Sequence, residues 1–517
     1  MHAFPNSLTN PVPAAAISSP NSRRLGVGTL TGLPHTVTRP AFTPRNLGTG
    51  IVHLGCGAFH RAHQALVTQH TIAATGDRRW GIAAVAMSRP DIVHSLRAQD
   101  NLYTTLLRDG GEIRAEVVGT ITAAVHAPTD RIGVMRRIAD PRVRIVTLTV
   151  TTGGYCVSPD TGRLDAGSDP VRHDLRCAAK PCTAIGMLVG ALAAVRRRGG
   201  NPPVVISCDN LSANGRQLRG AVIDFAALRD DRLADWIARN VQFPCSVVDR
   251  IVAPATAIDE AAARNSLGGI DDRAPVSAEP FLTWTIEDFE GERPRWDLAG
   301  ARFVADVTDH ELAKLRLLNG THMLLAYLGA LAGHATVAEA SADPELAALA
   351  RQFMLHEQGP TLTLPEPELR RTVDDLLHRF RNPAIRHDMT RVGRNGSGKM
   401  MPRVTDAMRE NLAAGRATPG AVLLIAAWIR WFDLCGTRGA TMEVIDSRVE
   451  ELAALAAIPD PYRRARAFLQ RTEIFGRLPQ LDRLQQEVGA ALVELSQDDV
   501  ADVIRRRLLE HPTGKAA

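Results

Sequence analysis

The stretch of this sequence richest in candidate chemistry is Lys314-Leu315-Arg316-Leu317-Leu318-Asn319-Gly320-Thr321-His322, which opens the apolar run Met323-Leu324-Leu325-Ala326-Tyr327-Leu328. Read as an α-helix at about 100° per residue, Lys314, His322 and Asn319 fall at about 0°, 80° and 140°, on one flank. The surrounding leucines imply that this flank is largely buried. Burial disfavours the charged form of a lysine and lowers its pKa, which makes it a candidate general base. An asparagine can donate to a developing alkoxide, and a histidine can orient a hydroxyl. A snorkelling lysine, a capping asparagine and a core histidine satisfy the same spacing, so spacing alone leaves both readings open.

Three further groups carry polar chemistry. Ser207-Cys208-Asp209-Asn210-Leu211 follows a predicted strand, and Val248-Asp249-Arg250 follows the next. Open α/β sheets bind ligands at that end of their strands, although Asn and Asp are also ordinary turn residues. Arg379 to Lys399, RFRNPAIRHDMTRVGRNGSGK, suits an anion or a polyhydroxyl ligand, or is a solvated basic loop. Nearer the N-terminus, Gly55-Cys56-Gly57-Ala58-Phe59-His60 joins an apolar run to a helical pattern. Strand, GxG turn and helix open a dinucleotide-binding fold, in which glycines let the backbone approach a pyrophosphate at a helix N-terminus. The third glycine of that fingerprint is absent. His60, Arg61 and His63 are expected to line the turn, with Arg61 or backbone groups near phosphate. His60 and His63 are spaced to share a metal from one helix face, but no third ligand stands nearby, so no metal is expected. Asp91, beyond the second strand, can reach ribose hydroxyls, whereas Arg89 can meet a 2′-phosphate; NAD and NADP both stay open.

These residues need elements to hold them. Ile51 to Leu54, Gly81 to Met87, Arg144 to Val150, Pro203 to Ser207 and Val247-Val248 read as strands. Ala62 to Ala74, Ala184 to Arg197 and Gly215 to Leu228 read as helices between them. That alternation predicts a parallel sheet covered on both faces. Beyond about residue 308 helical patterns dominate: 309–332, 343–357, 366–380, 403–414, 418–433, 446–456, 461–471 and 480–508. The expected fold class is α/β, a parallel-sheet domain over 48–307 followed by a mostly α-helical domain over 308–510. Residues 1–47 are rich in Pro, Ser, Thr and Asn and contain no Asp or Glu. They are expected to be a disordered tail outside the fold.

Composition excludes several classes. The 517 residues are 45% hydrophobic and 23% charged, with a net charge of +5, values ordinary for a globular chain. No apolar run is long enough for a transmembrane helix. A pI near 9.0 is weak support for nucleic acid, because Arg196-Arg197-Arg198 and Arg505-Arg506-Arg507 suit solvated helix faces and no basic stripe carries interleaved aromatics. Seven cysteines without a CxxC pair argue against a disulfide framework or a structural zinc site, and fit reduced thiols in a cytoplasmic protein.

Taken in order, Ile51 to Leu66 (IVHLGCGAFHRAHQAL), Ser207 to Gly215, Val247 to Ala253, Glu279 to Asp288 (EPFLTWTIED), Lys314 to His322 and Gly396 to Lys399 resemble the polyol-specific long-chain dehydrogenases, the mannitol dehydrogenase family. The resemblance runs from about residue 50 to 500. It implies a Rossmann-like domain and a helical domain with the site in the cleft between, no zinc, NAD or NADP as cofactor, and a monomer or weak oligomer acting on a sugar acid or polyol. It implies Lys314 as general base, Asn210 and Asn319 holding the reacting oxygen, and His322 positioning the substrate. It further implies Asp249, Arg391 and Lys399 along the substrate chain, and Glu311 relaying protons to water. Gly55, Gly57, Phe59, His60, Arg61 and Asp91 are the candidate cofactor contacts around the strand-turn-helix opening.

Two positions depart from the family pattern. Thr152, in Val150-Thr151-Thr152-Gly153-Gly154-Tyr155, stands where relatives usually carry a glutamate, and Arg394-Asn395-Gly396 lacks the usual acid before the glycine. The segments HEQGPTL and NPAIRH resemble the hexuronate-reducing members more than the mannitol-oxidising ones. The expected pair is therefore D-fructuronate and D-mannonate, with D-fructose and D-mannitol as the alternative. A non-catalytic nucleotide- or sugar-acid-binding relative is the reading from another class; retention of Lys314, Asn319, His322 and Asn210 speaks against it.

Overall fold

The computed structural model describes residues 23–158, 161–253, 255–384, 386–433 and 444–510. Twelve strands are present among them: β1 (Thr49–Leu54), β2 (Gly81–Ala86), β3 (Tyr103–Asp109), β4 (Glu112–Val118), β5 (Ile121–His126), β6 (Ile145–Leu148), β7 (Val204–Ser207), β8 (Ser246–Asp249), β9 (Val252–Ala253), β10 (Val276–Ala278), β11 (Thr283–Glu287) and β12 (Ala301–Val304). Five of them form a wholly parallel sheet in the order β5-β2-β1-β6-β7. Their near-continuous apolar runs are what a sheet covered on both faces requires. One face packs Val52, Leu54 and Val85 against the helices Ala184–Arg197 and Asn214–Ala227. The other packs Ile51, Ile82 and Ala84 against the helix Gln64–Thr75. Strand order reverses at β1, which has β2 on one side and β6 on the other. Such a switch point opens a crevice at the carboxyl ends of the strands.

Two smaller sheets complete this half, and the strand expected at Val247-Val248 belongs to one of them, antiparallel to β11 and outside the parallel sheet. β4-β3-β10-β9 and β12-β11-β8 are both mixed, and β3 and β4 form a hairpin closed by Gly110-Gly111. β8 extends the wall of the crevice with Val248 and Asp249.

From Thr308 onward the described residues form no strand. The core of this half is one large apolar cluster that includes Leu324, Phe353, Leu424, Trp428, Phe468 and Val488. Three stretches inside its helices are π-helical: Lys314–Gly320, Phe353–Gln358 and Met401–Thr405. The first packs against both others. Each accommodates an extra residue per turn, a device that recurs at functional sites. The expected uniform helix over 309–332 is therefore Thr308–Ala313, a π segment, and Thr321–Leu331. The helix expected over 480–508 breaks at Asp498, whose ψ of 161° is extended. The helix expected from Ala62 to Ala74 breaks at His63, giving Ala58–Ala62 and Gln64–Thr75.

The expectation of a tail outside the fold through residue 47 fails for residues 23–47. Leu25, Leu33 and Val37 are buried with Leu102, Leu106, Val117, Ala263 and Leu267. The Leu25 N–H donates to the Asp271 carbonyl at 2.9 Å, and the Thr38 N–H to the Ala115 carbonyl at 3.0 Å. The polar composition misled because three well-spaced apolar side chains suffice to seat the segment on an existing hydrophobic surface. Residues 1–22 lie outside the described ones. No described helix is long and apolar enough to cross a membrane.

Candidate active site

A cleft of about 720 Å³ separates the two domains. Its first wall is built from the carboxyl ends of the parallel strands: Gly57, Ala58 and Phe59 after β1, Thr149 and Thr151 after β6, and Cys208, Asp209 and Asn210 after β7. Asp249 and Arg250 follow β8. The second wall comes from the helical domain and carries Lys314, Asn319, His322, His387, Arg391, Lys399 and Arg403.

The β1 turn is shaped for backbone approach. Gly55 has φ +109°, and a Cβ there would lie 2.0 Å from the Thr149 carbonyl oxygen. Only glycine fits. Gly57 lines the cleft, and a Cβ on it would meet no protein atom nearer than the Gly55 carbonyl oxygen at 3.8 Å. The space it leaves open is on the ligand side, so the turn fits a dinucleotide. Beneath it, the His53 ring bonds Thr147 Oγ1, Thr149 Oγ1 and the Gly55 carbonyl. Burial lowers the pKa of His53 to about 3, so the ring is a neutral strut.

His60 and Arg61 depart from the expectation that they face the cofactor. Both are buried under the turn. His60 stacks on His53 with ring centroids 3.4 Å apart, and the Arg61 guanidinium donates to the Ala274 carbonyl. A short helix starting at Ala58 turns these side chains inward. Phe59 does face the cleft and stacks on His63, centroids 5.1 Å apart. His63 Nε2 donates to the Thr283 carbonyl oxygen at 2.9 Å. The described residues contain one cluster of metal-ligand type, His173, Asp174 and Cys182, remote in sequence from these histidines. Asp91 begins a short helix after β2, is exposed, and pairs with Arg89 at 3.4 Å. Thr152 is exposed and does not line the cleft.

Lys314 is half-buried where the two walls meet. Its Nζ donates to Asn210 Oδ1 at 2.6 Å. Burial lowers its pKa from 10.5 to about 8, against the pull of the Asp249 carboxylate. Asn210 spends its oxygen on the lysine, so its amide N–H groups stay available. Asn319, buried one π turn on, has an amide nitrogen with no hydrogen-bond partner. His322 also has an unpartnered Nε2, and its ring packs against Phe380 (4.6 Å) and His387 (5.0 Å). Burial and the nearby charges of His387, Arg379 and Arg403 press its pKa well below 6.5. Buried donors without acceptors are costly in a folded protein and mark a place for a ligand. The π segment is what puts Lys314, Asn319 and His322 on one cleft-facing surface.

Glu311 lies one turn before Lys314 and accepts the Ala213 N–H at 2.9 Å. Together with Lys314, Asn210 and Ser212 it lines a small cavity of about 20 Å³ behind the lysine, room for about one water. Asp249 is in the cleft but is not free. Arg379 grips it with Nη1–Oδ2 and Nη2–Oδ1 both at 2.9 Å, and also binds both oxygens of Glu279 at 3.0 and 2.8 Å. Burial opposes the charge on Arg379, but the two carboxylates outweigh it and raise its pKa. Glu279 in turn accepts the Ile251 N–H, and Arg250 bonds the Glu279 and Ala62 carbonyls. This network ties the helix Glu366–Phe380 to β8 and β10. Arg391 is exposed at the cleft rim, and Lys399 is half-buried deeper in the wall.

The sequence reading passed over Arg403 and His387, and took Arg379 only as the start of a basic stretch. None has a motif of its own; only the packing of the helical domain brings them to the cleft.

Comparison with known proteins agrees with this architecture. The family model "Mannitol dehydrogenase Rossmann domain" matches residues 49–298, and "Mannitol dehydrogenase C-terminal domain" matches residues 306–496. The chain is 38% identical over 468 residues to D-mannonate oxidoreductase of Escherichia coli (strain K12), covering 89% of this chain and 96% of that protein. It is 36% identical over 484 residues to mannitol 2-dehydrogenase of Cereibacter sphaeroides, covering 92% and 100%. The structure of Pseudomonas fluorescens mannitol 2-dehydrogenase, a ternary complex with NAD and D-mannitol, superposes with a TM-score of 0.83 at 33% identity, over 95% of this chain and 100% of that one. The chain belongs to the mannitol dehydrogenase family.

Proposed function

We propose that this protein is an NAD(H)-dependent oxidoreductase that interconverts a keto group and a secondary alcohol on a sugar acid or polyol, with D-fructuronate and D-mannonate as its substrate pair. The observation that carries the reading is the Lys314–Asn210 contact of 2.6 Å, made by a lysine whose pKa lies near 8, in a cleft whose other end is the Gly55–Gly57 turn.

Gly57, Ala58 and Phe59 would hold the dinucleotide, and its nicotinamide supplies hydride acceptance and donation when bound. The rest falls to the chain. In oxidation, neutral Lys314 takes the hydroxyl proton. Asn210 fixes the amine by accepting one of its N–H groups. The amide N–H groups of Asn210 and Asn319 donate to the oxygen as charge develops on it. His322, held neutral, orients the same or the adjacent hydroxyl through Nε2. The proton then leaves towards Glu311 and the water-sized cavity behind the lysine. In reduction protonated Lys314 returns a proton to the carbonyl oxygen.

The sugar-acid choice is supported by the HEQGPTL and NPAIRH segments and by the 38% identity to a D-mannonate oxidoreductase. A D-fructose/D-mannitol pair is the second reading, supported by the solved relative that holds D-mannitol. The test is oxidation of NADH followed at 340 nm with D-fructuronate and D-fructose in parallel, on wild type and Lys314→Ala. Faster turnover of fructuronate, lost in the variant, is the expected result. Preference for fructose moves the assignment to the polyol pair. Turnover of neither, with NADH still bound, refutes the enzymatic reading for both.

A further inference from the structure

We propose that Lys399 and Arg403 form a carboxylate clamp in the helical wall, and that Arg403 is the residue that makes this site select a sugar acid over a neutral polyol. The proposal rests on the oxidoreductase reading above and deepens it.

The argument begins with the acids near the cleft. Asp249 and Glu279 are both committed to Arg379. Asp209 accepts the Val150 and Thr151 N–H groups and the Tyr155 hydroxyl. Glu311 is turned to Ala213. Asp446, the acid that acts electrostatically on Lys399, accepts the Ser397 N–H at 2.9 Å and its hydroxyl at 2.5 Å. Each of these carboxylates is held by hydrogen bonds elsewhere, and none of them bonds Lys399 or Arg403. Lys399 Nζ reaches only the carbonyls of Val392 and Arg394. Arg403 has neither an ion pair nor a side-chain hydrogen bond among the described residues, although it lines the cleft.

Two unpaired cations four residues apart on one continuous helical stretch, Ser397–Thr405, is an arrangement that opposes itself. Burial, with the charge of Arg403 added, lowers the pKa of Lys399 to about 8, and burial lowers that of Arg403 to about 10. A bound carboxylate relieves both. A planar guanidinium offers it two parallel N–H donors, and the ammonium adds a point charge. A neutral hydroxymethyl group gains far less from either.

The clamp is also fixed in distance from the reacting end. Arg403 belongs to the π segment that packs against the one bearing Lys314 and Asn319. At the contact, a Cβ on Gly320 would lie 2.7 Å from the Arg403 carbonyl oxygen, so the two backbones touch. The dinucleotide turn is on the opposite wall, carried by β1, so a cofactor phosphate held there does not neutralise this pair.

The experiment compares wild type with Arg403→Met. It measures kcat/KM for D-mannonate and for D-mannitol with NAD, and the affinity of the enzyme–NADH complex for D-mannonate by calorimetry. Loss of one arm of a desolvated, hydrogen-bonded charge pair should lower the acid-to-polyol ratio of kcat/KM by about 100-fold and weaken mannonate binding by a similar factor. Arg403→Lys should restore part of the selectivity. NADH affinity and thermal unfolding control for the fold, and Arg403→Gln carries the same expectation should Arg403→Met not fold. An unchanged ratio, or an equal loss for both substrates, overturns the clamp while leaving the oxidoreductase reading intact. Mannonate binding that Arg403→Met abolishes, in an enzyme that turns over neither substrate, upholds the clamp and overturns the oxidoreductase reading.

Discussion

If Lys314 is the base, its ionisation must govern the pH dependence of the reaction in both directions. An ordinary lysine with pKa 10.5 is about 0.03% neutral at pH 7, whereas one with pKa near 8 is about 9% neutral, roughly 300 times more base. Oxidation of D-mannonate, followed as kcat at saturating D-mannonate, whose bound carboxylate holds Lys399 charged, should therefore rise about tenfold per pH unit from pH 6 to 8 and flatten above it. Reduction of D-fructuronate should show the mirror image, flat below pH 8 and falling above, because it needs the protonated amine. Lys314→Met should remove the inflection in both directions and lower kcat by about 10²–10⁴-fold. The reasoning fails if Lys314→Met keeps an inflection near pH 8, or if the wild-type profile breaks near the ordinary lysine value. A base elsewhere in the cleft would then have to be found.

Other expectations follow from the same geometry. Gly57→Val should leave the melting temperature close to wild type, since nothing of the protein occupies that space, yet abolish NADH binding in a fluorescence titration. Gly55→Ala should instead unfold at markedly lower urea, because its Cβ is driven against the Thr149 carbonyl at a positive φ. Arg379→Met strands the buried Asp249 and Glu279 carboxylates and should cost about 3–5 kcal/mol in denaturant titration, with part regained in Arg379→Met/Glu279→Gln. His53 and His63 are buried neutral with pKa values near 3, well under the unfolded value of 6.5. The unfolded chain thus binds more protons as pH falls below 6.5, and each histidine should remove about 2 kcal/mol of stability between pH 7 and pH 5. Urea midpoints at the two pH values, compared with His53→Gln, check this.

How much of this was legible in the sequence varies from element to element. The β1 turn was readable because an apolar strand followed by Gly55 and Gly57 is a local pattern with a local cause. Lys314, Asn319 and His322 were readable by residue type, and they do meet in the cleft. Their exact phasing was not: a π segment is a shift in hydrogen-bond register, and the hydrophobic pattern on either side of it stays helical. His60 and Arg61 looked like cofactor residues because they adjoin the turn, but the short helix that begins at Ala58 rotates them beneath it. The β3–β4 hairpin was overlooked because its outer half, Arg108 to Arg114, is charged and has little alternation to detect. Arg379 and Arg403 were hidden by abundance. In a chain with 61 Lys and Arg residues, one guanidinium differs from another only by what the fold places beside it.

The three π-helical stretches have a consequence for how this site can be altered. Substitutions can change which groups line the cleft, but the direction in which they point follows from how many residues are counted into each turn. If the same residues were wound regularly, with none removed, everything after Gly320 would swing by about 100° relative to Lys314. His322 would then leave its place beside the lysine while every catalytic side chain was still present in the chain. The chemistry is thus written partly in winding, and taking the extra residue out of the stretch would restore a regular helix without that swing.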